Sequence, residues 1–148
     1  MEQKYHHRTP DVLEAKYKKM GMNACVISFV GSLAAGGSGN FPQTVDRGIE
    51  FYPRELRAHG WETGDMTFAK KPFLITNIQL GTTVNHLYGG GIYSDILDSV
   101  TAGPSRLPFA FTGHIEANRN IVFSITNLHS AGLSFALYLI GELKPLYK

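Results

Sequence analysis

Two pairs of side chains in the sequence have the chemistry of metal ligands. His6 and His7 are neighbours near the amino terminus, and imidazole is a common metal ligand. Adjacent side chains diverge, however, and no third ligand stands at a suitable spacing. Asp95 and Asp98 resemble a carboxylate pair that could bind calcium or do acid–base work, but the regular Asp spacing of a calcium loop is missing around them. The sequence therefore predicts no metal site, and we interpret both aspartates as turn-capping residues.

Motifs for nucleophilic catalysis and phosphate binding are incomplete. Cys25 is the only cysteine and stands in the apolar run Ala24–Val30, where a buried and unreactive thiol is expected. The glycine-rich segments Gly36–Asn40 and Gly89–Gly91 are not followed by the Lys and Ser or Thr of a phosphate-binding loop. We expect no catalytic residue, no cofactor and no enzymatic activity. The four remaining histidines stand singly in predicted loops and are interpreted as surface or hydrogen-bonded residues: His59, His86, His114 and His129.

The chain is poor in charged residues for its size. Its 148 residues suit one domain, and 18% of them are charged, against about 25% in ordinary soluble domains. This deficit favours a protein whose surface is partly covered by other subunits. The net charge of +2 disfavours direct nucleic-acid binding, since such domains are usually strongly basic. No apolar run is long enough to span a membrane, and we expect synthesis in a reducing cytoplasm.

The small positive excess is concentrated at the amino terminus. Residues 1–23 contain five Lys or Arg against three Asp or Glu, so they hold the whole formal excess of the chain. The sequence predicts a basic arm over residues 1–23 that is ordered by a partner, followed by one domain over residues 24–148.

From residue 24 onward, short apolar runs alternate with Gly, Pro and Asn. Gly36–Asn40 is predicted to be a loop, and Pro53 is expected to stop the strand before it. The candidate strands are Ala24–Val30, Thr44–Tyr52, Pro72–Leu80, Asn120–Asn127 and Leu133–Ile140. Many short strands without a long helix indicate an all-β fold, specifically a jelly-roll-like β-sandwich.

The last candidate strand indicates how its two faces are used. Leu133, Phe135, Leu137 and Leu139 point one way, whereas Ser134, Ala136, Tyr138 and Ile140 point the other way. One face is fully apolar and the other is half apolar. This pattern predicts a strand that is covered by the core on one side and touches a neighbouring protein on the other.

Aromatic and basic side chains supply candidate contacts with a partner, because aromatic residues are enriched in protein interfaces. The predicted interface residues are Lys4, Arg8, Tyr17, Lys18, Lys19, Met20, Trp61, Phe109, Phe111 and Tyr138. The alternative use of the aromatic residues is a carbohydrate-binding platform for host attachment, in which Asp95 and Asp98 could bind calcium.

Five segments of the second half of the chain carry a resemblance to a known group of proteins: Pro72–Ile78, Tyr93–Ser99, Leu107–Phe111, Ile115–Asn127 and Phe135–Lys144. Through these segments the chain resembles small jelly-roll structural proteins of tailed bacteriophages, of the capsid cement, decoration or minor capsid type. The resemblance implies a non-enzymatic virion protein, made in the host cytoplasm, that bridges major capsid subunits and forms a small homo-oligomer. A neck or tail component has the same pattern and stays open as an alternative.

Overall fold

The structure is a computed structural model that describes residues 23–86, 90–98 and 113–146. This part of the chain contains eight β-strands and a short 3₁₀ helix at Ser94–Leu97. The strands are β1 Asn23–Leu33, β2 Ser38–Thr44, β3 Ile49–Glu62, β4 Leu74–Leu80, β5 Thr83–His86, β6 Ile92–Tyr93, β7 Asn120–Thr126 and β8 Leu133–Pro145. Within the described ranges, no helix is long and apolar enough to cross a membrane.

The strands form two antiparallel sheets. Sheet A has the order β1-β8-β3, and sheet B has the order β2-β7-β4-β5, with β6 also paired to β4. Strands that follow each other in sequence repeatedly change sheet, as β1 and β2 do. The two sheets pack face to face, which confirms the predicted all-β sandwich.

The hydrophobic core lies between the sheets because each strand turns its apolar set of alternate residues inward. Ile121, Phe123 and Ile125 of β7 are fully buried, and they are the alternate residues of that strand. The Phe123 ring meets the Phe29 ring of sheet A edge to face, with 4.8 Å between the ring centroids. Phe135 of β8 likewise contacts Phe73, at 5.4 Å between centroids.

Pro53 does not stop the third strand, and the prediction of a strand over Thr44–Tyr52 was wrong in its bounds. β3 begins at Ile49 and runs through Pro53 to Glu62. The pairing with β8 shifts register between Pro53 and Glu55, which is a β-bulge. Proline lacks a backbone N–H, so an edge strand accommodates it where a bulge interrupts the hydrogen-bond ladder.

The glycine-rich segment Gly36–Asn40 was also only partly a loop. Gly36 has a φ of 67° in the turn, but β2 already begins at Ser38. The Ser38 and Thr126 hydroxyls are 2.8 Å apart, and Ser124 Oγ donates to Asn40 Oδ1 at 2.7 Å. These contacts with β7 hold a strand whose residue types have low β propensity.

Candidate protein-interaction surface

The outward side chains of sheet A form a surface on which exposed apolar side chains lie among polar ones. We call this surface the outer face of sheet A; it consists of Val26, Ser28, Val30 and Ser32 of β1, Ser134, Ala136, Tyr138 and Ile140 of β8, and Glu55, Arg57, His59 and Trp61 of β3. Val26 is 55% exposed, Val30 is 65% exposed and Tyr138 is 39% exposed. Apolar side chains that lie together in solvent are typical of a protein-interaction site.

The strand register places these residues in rows across the sheet. Tyr138 lies between Ser28 on one side and Arg57 on the other. Ala136 in the next row lies between Val30 and His59. The small alanine therefore separates larger side chains and leaves a shallow floor at the centre of the outer face.

A depression beside Tyr138 is the main concave feature of this face. It has a volume of about 220 Å³ and is lined by Val26, Arg57, Ala58, His59, Tyr138 and Ile140. Small-molecule sites usually occupy about 300–1,000 Å³ and bury most of their ligand. The depression is smaller and open to solvent, so it suits a single apolar side chain of a protein partner.

Sheet B presents a different outer surface, on which polar side chains of β2 and β7 bond to each other. The Ser38–Thr126 and Asn40–Ser124 contacts lie on this surface, and Thr44 Oγ1 donates to Asn120 Oδ1 at 2.8 Å. These residues stand directly opposite each other in the β2–β7 ladder. Because the polar groups already satisfy one another, this surface has less to gain from a partner than the apolar outer face of sheet A.

Trp61 lies at one end of the outer face in a cluster of rings. The His59 ring stacks on it at 5.8 Å between centroids with an interplanar angle of 24°. The Phe68 ring stands nearly perpendicular to the indole, at 5.2 Å and 72°. Two rings that meet at this angle do not form a flat platform for a sugar, so this cluster favours a protein contact over carbohydrate stacking.

His59 is held by both of its ring nitrogens. Nδ1 lies 2.6 Å from Oδ2 of Asp98, and Nε2 lies 3.0 Å from the Phe68 carbonyl oxygen. Neither nitrogen is available to take a proton from a nucleophile, so this His–Asp pair has the geometry of a structural brace.

An ionic cluster lies at the opposite end of β3. Arg54 Nε is 3.2 Å from Oε2 of Glu142, although the two are not aligned as a hydrogen bond. His114 Nε2 lies 3.0 Å from Oε2 of Glu50, and Tyr52 donates to the other oxygen of Glu50 at 3.3 Å. Burial, followed by the charge of Glu50, raises the pKa of the Tyr52 hydroxyl. These charges bound the apolar surface, as a polar rim bounds an interface core.

Cys25 lies beside a groove between the edges of β1 and β2. The groove has a volume of about 400 Å³, and Cys25 and Asp46 are among its lining residues. Burial, and secondly the carboxylate of Asp46, raise the pKa of the thiol. A raised pKa leaves less thiolate at neutral pH, so the structure gives Cys25 no activation as a nucleophile.

The structure brings together two of the predicted interface residues and describes none of the others. Trp61 pairs with Ser134 of β8. Tyr138 lies four residues further along β8 on the same face, about 13 Å from Ser134. The other predicted interface residues lie outside the described residues: Lys4, Arg8, Tyr17, Lys18, Lys19, Met20, Phe109 and Phe111.

Sequence reasoning missed Val26 and Val30, which are the most exposed apolar side chains of the surface. Their signal was present, because β1 alternates Cys25, Ile27 and Phe29 with a second partly apolar set. The contact between Asp98 and His59 was missed as well, so Asp98 is not a simple turn cap. His59 is hydrogen-bonded as predicted, but His59 lies in β3 and His86 ends β5, so the prediction that these two histidines stand in loops was wrong. Among the described residues, no group of three or more His, Cys, Asp or Glu could hold a metal ion.

Comparisons of the chain with protein-family models, with curated proteins and with solved structures found no match.

Proposed function

We propose that this chain is a non-enzymatic structural protein of a tailed-phage particle, which cements or decorates the capsid by bridging major capsid subunits. The observation that carries the proposal is the exposed apolar outer face of sheet A, where Val26, Val30 and Tyr138 lie in solvent. A partner polypeptide that covers them removes apolar surface from water, which is the main source of association free energy.

The strand pairing supports a jelly roll, the fold that the proposed class has. A jelly roll of eight strands is a long hairpin rolled into two sheets, so that strands pair first with last, second with seventh, third with sixth and fourth with fifth. Here β1 pairs with β8, β2 with β7 and β4 with β5. On the side of β3 that faces away from β8, Phe51 of β3 forms an isolated antiparallel bridge with Ile115. Ile115 lies where the sixth strand of this scheme would lie, and the two-residue strand β6 is an addition to the scheme that pairs with β4.

The contrast between the two outer surfaces supports a partner on one side only. The β2–β7 surface carries hydroxyl and amide groups that bond in pairs, as at Thr44 and Asn120, on either side of the apolar pair Pro42 and Val122. The outer face of sheet A leaves apolar groups without such partners. A protein that lies on a shell needs one adhesive side and one side that tolerates water.

The connection of the basic arm to sheet A also fits a bridging role. Residues 1–23 hold the formal positive excess, and they lead directly into β1, which is an edge strand of sheet A. An arm that starts at this edge can reach an acidic surface on the same partner. Charge of this kind accelerates docking and adds area when the arm becomes ordered.

A shell-pelleting assay with matched variants tests the proposal. Expanded, undecorated shells of the cognate phage are mixed with the full chain, with Tyr138→Ser and with Val122→Ser. The first substitution removes an apolar group from the outer face of sheet A, and the second removes one from the outer surface of sheet B.

The wild type and Val122→Ser are expected to pellet with shells equally, and Tyr138→Ser is expected to bind about tenfold more weakly, as for loss of a tyrosine anchor. Circular dichroism and a melting curve confirm that each variant is folded. Failure of the wild-type chain to pellet with shells would reject the capsid role. Equal binding by both variants would reject the outer face of sheet A as the contact.

A further inference from the structure

The four sheet edges of the sandwich differ in how they are protected against pairing with another strand. An unprotected edge presents backbone N–H and C=O groups that can extend the sheet into another molecule. β2 contains Pro42 in its middle, and β5 has four residues. The free side of β3 has the Pro53 bulge and bridges to Ile115 and to Lys70. Each of these three edges carries a feature that discourages strand addition.

β1 has none of these features. Its eleven residues, Asn23–Leu33, include no charged residue and no proline. It pairs with β8 in unbroken register over its whole length. Among the described residues, no strand pairs with its other side. β1 is therefore the one edge in the described structure that is long, regular, uncharged and open.

The backbone of Ser28 points toward this open side. Gln43 Nε2 donates to the Ser28 carbonyl oxygen at 3.0 Å, so that carbonyl faces away from β8. In an antiparallel strand, alternate residues direct their N–H and C=O groups to the same side. Val26 and Val30 therefore share this orientation, and Gln43 occupies one acceptor that a neighbouring strand would otherwise use.

The pattern of β1 is nearly symmetric about Ser28. Val26 and Val30 lie two residues to either side on the outward face, and Ile27 and Phe29 flank Ser28 on the inward face. When two such strands pair antiparallel about Ser28, valine stands opposite valine and isoleucine opposite phenylalanine. Apolar cross-strand pairs stabilise a sheet, and no charge is present to oppose the pairing.

We infer that β1 of one copy of this chain pairs with β1 of a second copy across a two-fold axis at Ser28. Sheet A then continues through the dimer as β3-β8-β1-β1-β8-β3. At the axis, the two Ser28 residues exchange two backbone hydrogen bonds in place of the single Gln43 contact of each monomer. The exposed Val26 of each copy is covered by Val30 of the other, and the two outer faces of sheet A join into one surface.

A charge at the axis is the direct test of this arrangement. Ser28 is exposed in the monomer, so Ser28→Lys leaves the fold intact and places two lysines directly opposite each other in the dimer. Thr82→Lys adds the same charge at an exposed residue in the β4–β5 turn and serves as the control. Sedimentation velocity of the full chain in the micromolar range gives the oligomeric state.

The wild type and Thr82→Lys are expected to sediment as dimers, and Ser28→Lys is expected to dissociate with a dissociation constant raised about tenfold or more. A monomeric wild type would overturn the inference, as would a dimer that Ser28→Lys leaves unchanged. Tyr138→Ser retains the dimer because Tyr138 lies on β8, so this inference and the capsid proposal can fail separately.

Cross-linking tests the register. In a Cys25→Ala background, Ser28→Cys places two thiols within disulfide reach, since directly paired residues have Cα atoms about 5.5 Å apart. Ser32→Cys is the control, because its two copies lie about 27 Å apart in the proposed register. Mild oxidation is expected to cross-link the first variant rapidly and the second slowly. Equal cross-linking of both would contradict the two-fold axis at Ser28.

Discussion

Nδ1 of His59 lies 2.6 Å from Oδ2 of Asp98, and this contact joins β3 to the residue that follows the 3₁₀ helix. The Asp98 side chain is almost fully buried, at 3% exposure. The other nitrogen of His59 holds the Phe68 carbonyl oxygen. Since the His59 ring also stacks on Trp61, the brace fixes one end of the outer face of sheet A before any partner binds.

Asp98→Asn tests the brace. Loss of the carboxylate that contacts Nδ1 of His59 is expected to lower the free energy of unfolding by about 2 kcal/mol, which is the usual range for a buried hydrogen bond to a charged group. Urea denaturation measures the change. Asp95→Asn, in the adjoining 3₁₀ helix but only half-buried, is the control and should cost less than about 1 kcal/mol. An unchanged midpoint for Asp98→Asn would contradict the brace.

Gly141→Ala tests the close approach of β8 to the bulge in β3. A Cβ atom at Gly141 would collide with the Tyr52 carbonyl oxygen and lie 2.9 Å from the Pro53 Cα. Backbone atoms cannot move aside without breaking the ladder, so a loss of about 3 kcal/mol is expected. Gly132→Ala is the control, because its Cβ would lie 3.3 Å from a Thr63 side-chain atom. Similar melting temperatures for the two variants would show that the bulge yields easily.

The reactivity of Cys25 reports the environment of the β1 edge. Its raised pKa reduces the thiolate fraction at pH 8, so iodoacetamide is expected to modify the folded chain more slowly than the urea-unfolded chain. Asp46→Asn removes the second cause of the raised pKa and should speed the reaction of the folded chain only. The pKa of the Cys25 thiol is higher in the folded chain than in the unfolded chain. The thiol therefore contributes to the free energy of unfolding below its ordinary pKa, and this contribution is lost as the pH rises through the folded-state pKa. Equal rates in folded and unfolded chains would refute the assigned environment.

Deletion of residues 1–20 separates binding from folding. If the basic arm contributes to docking, the truncated chain should bind shells more weakly than the intact chain. Added salt should weaken shell binding of the intact chain more steeply than that of the truncated chain, since salt screens the attraction of the arm. The melting curve should change little, because the described sandwich begins at β1. Equal pelleting by the truncated and intact chains would show that the arm has no role in the association.

The sequence predicted the sandwich because short apolar runs are separated by Gly, Pro and Asn, without a long helix. β7 matches its predicted run to within one residue at its end, and β8 extends the predicted run from Ile140 to Pro145. The full length of β3 could not be predicted, because tolerance of Pro53 depends on a bulge opposite β8 and on an edge position. Both are properties of the sheet and not of the strand.

The outer face of sheet A was predicted only in part, for a related reason. Alternation along β8 placed Tyr138 on this face, and Trp61 was named for its residue type. The brace between His59 and Asp98 joins residues 39 positions apart, and it exists because the 3₁₀ helix packs against β3. No local pattern encodes that packing. The open edge of β1 likewise becomes visible only when the order of strands in sheet A is known.

The location of the chain in its assembled particle, determined by cryo-electron microscopy at side-chain resolution, tests the central claim most directly. We expect another polypeptide in contact with Tyr138 and its neighbours on the outer face of sheet A, with the Ser38–Thr126 surface of sheet B facing solvent. A map in which the surface of sheet B is covered while Tyr138 faces solvent would contradict this account.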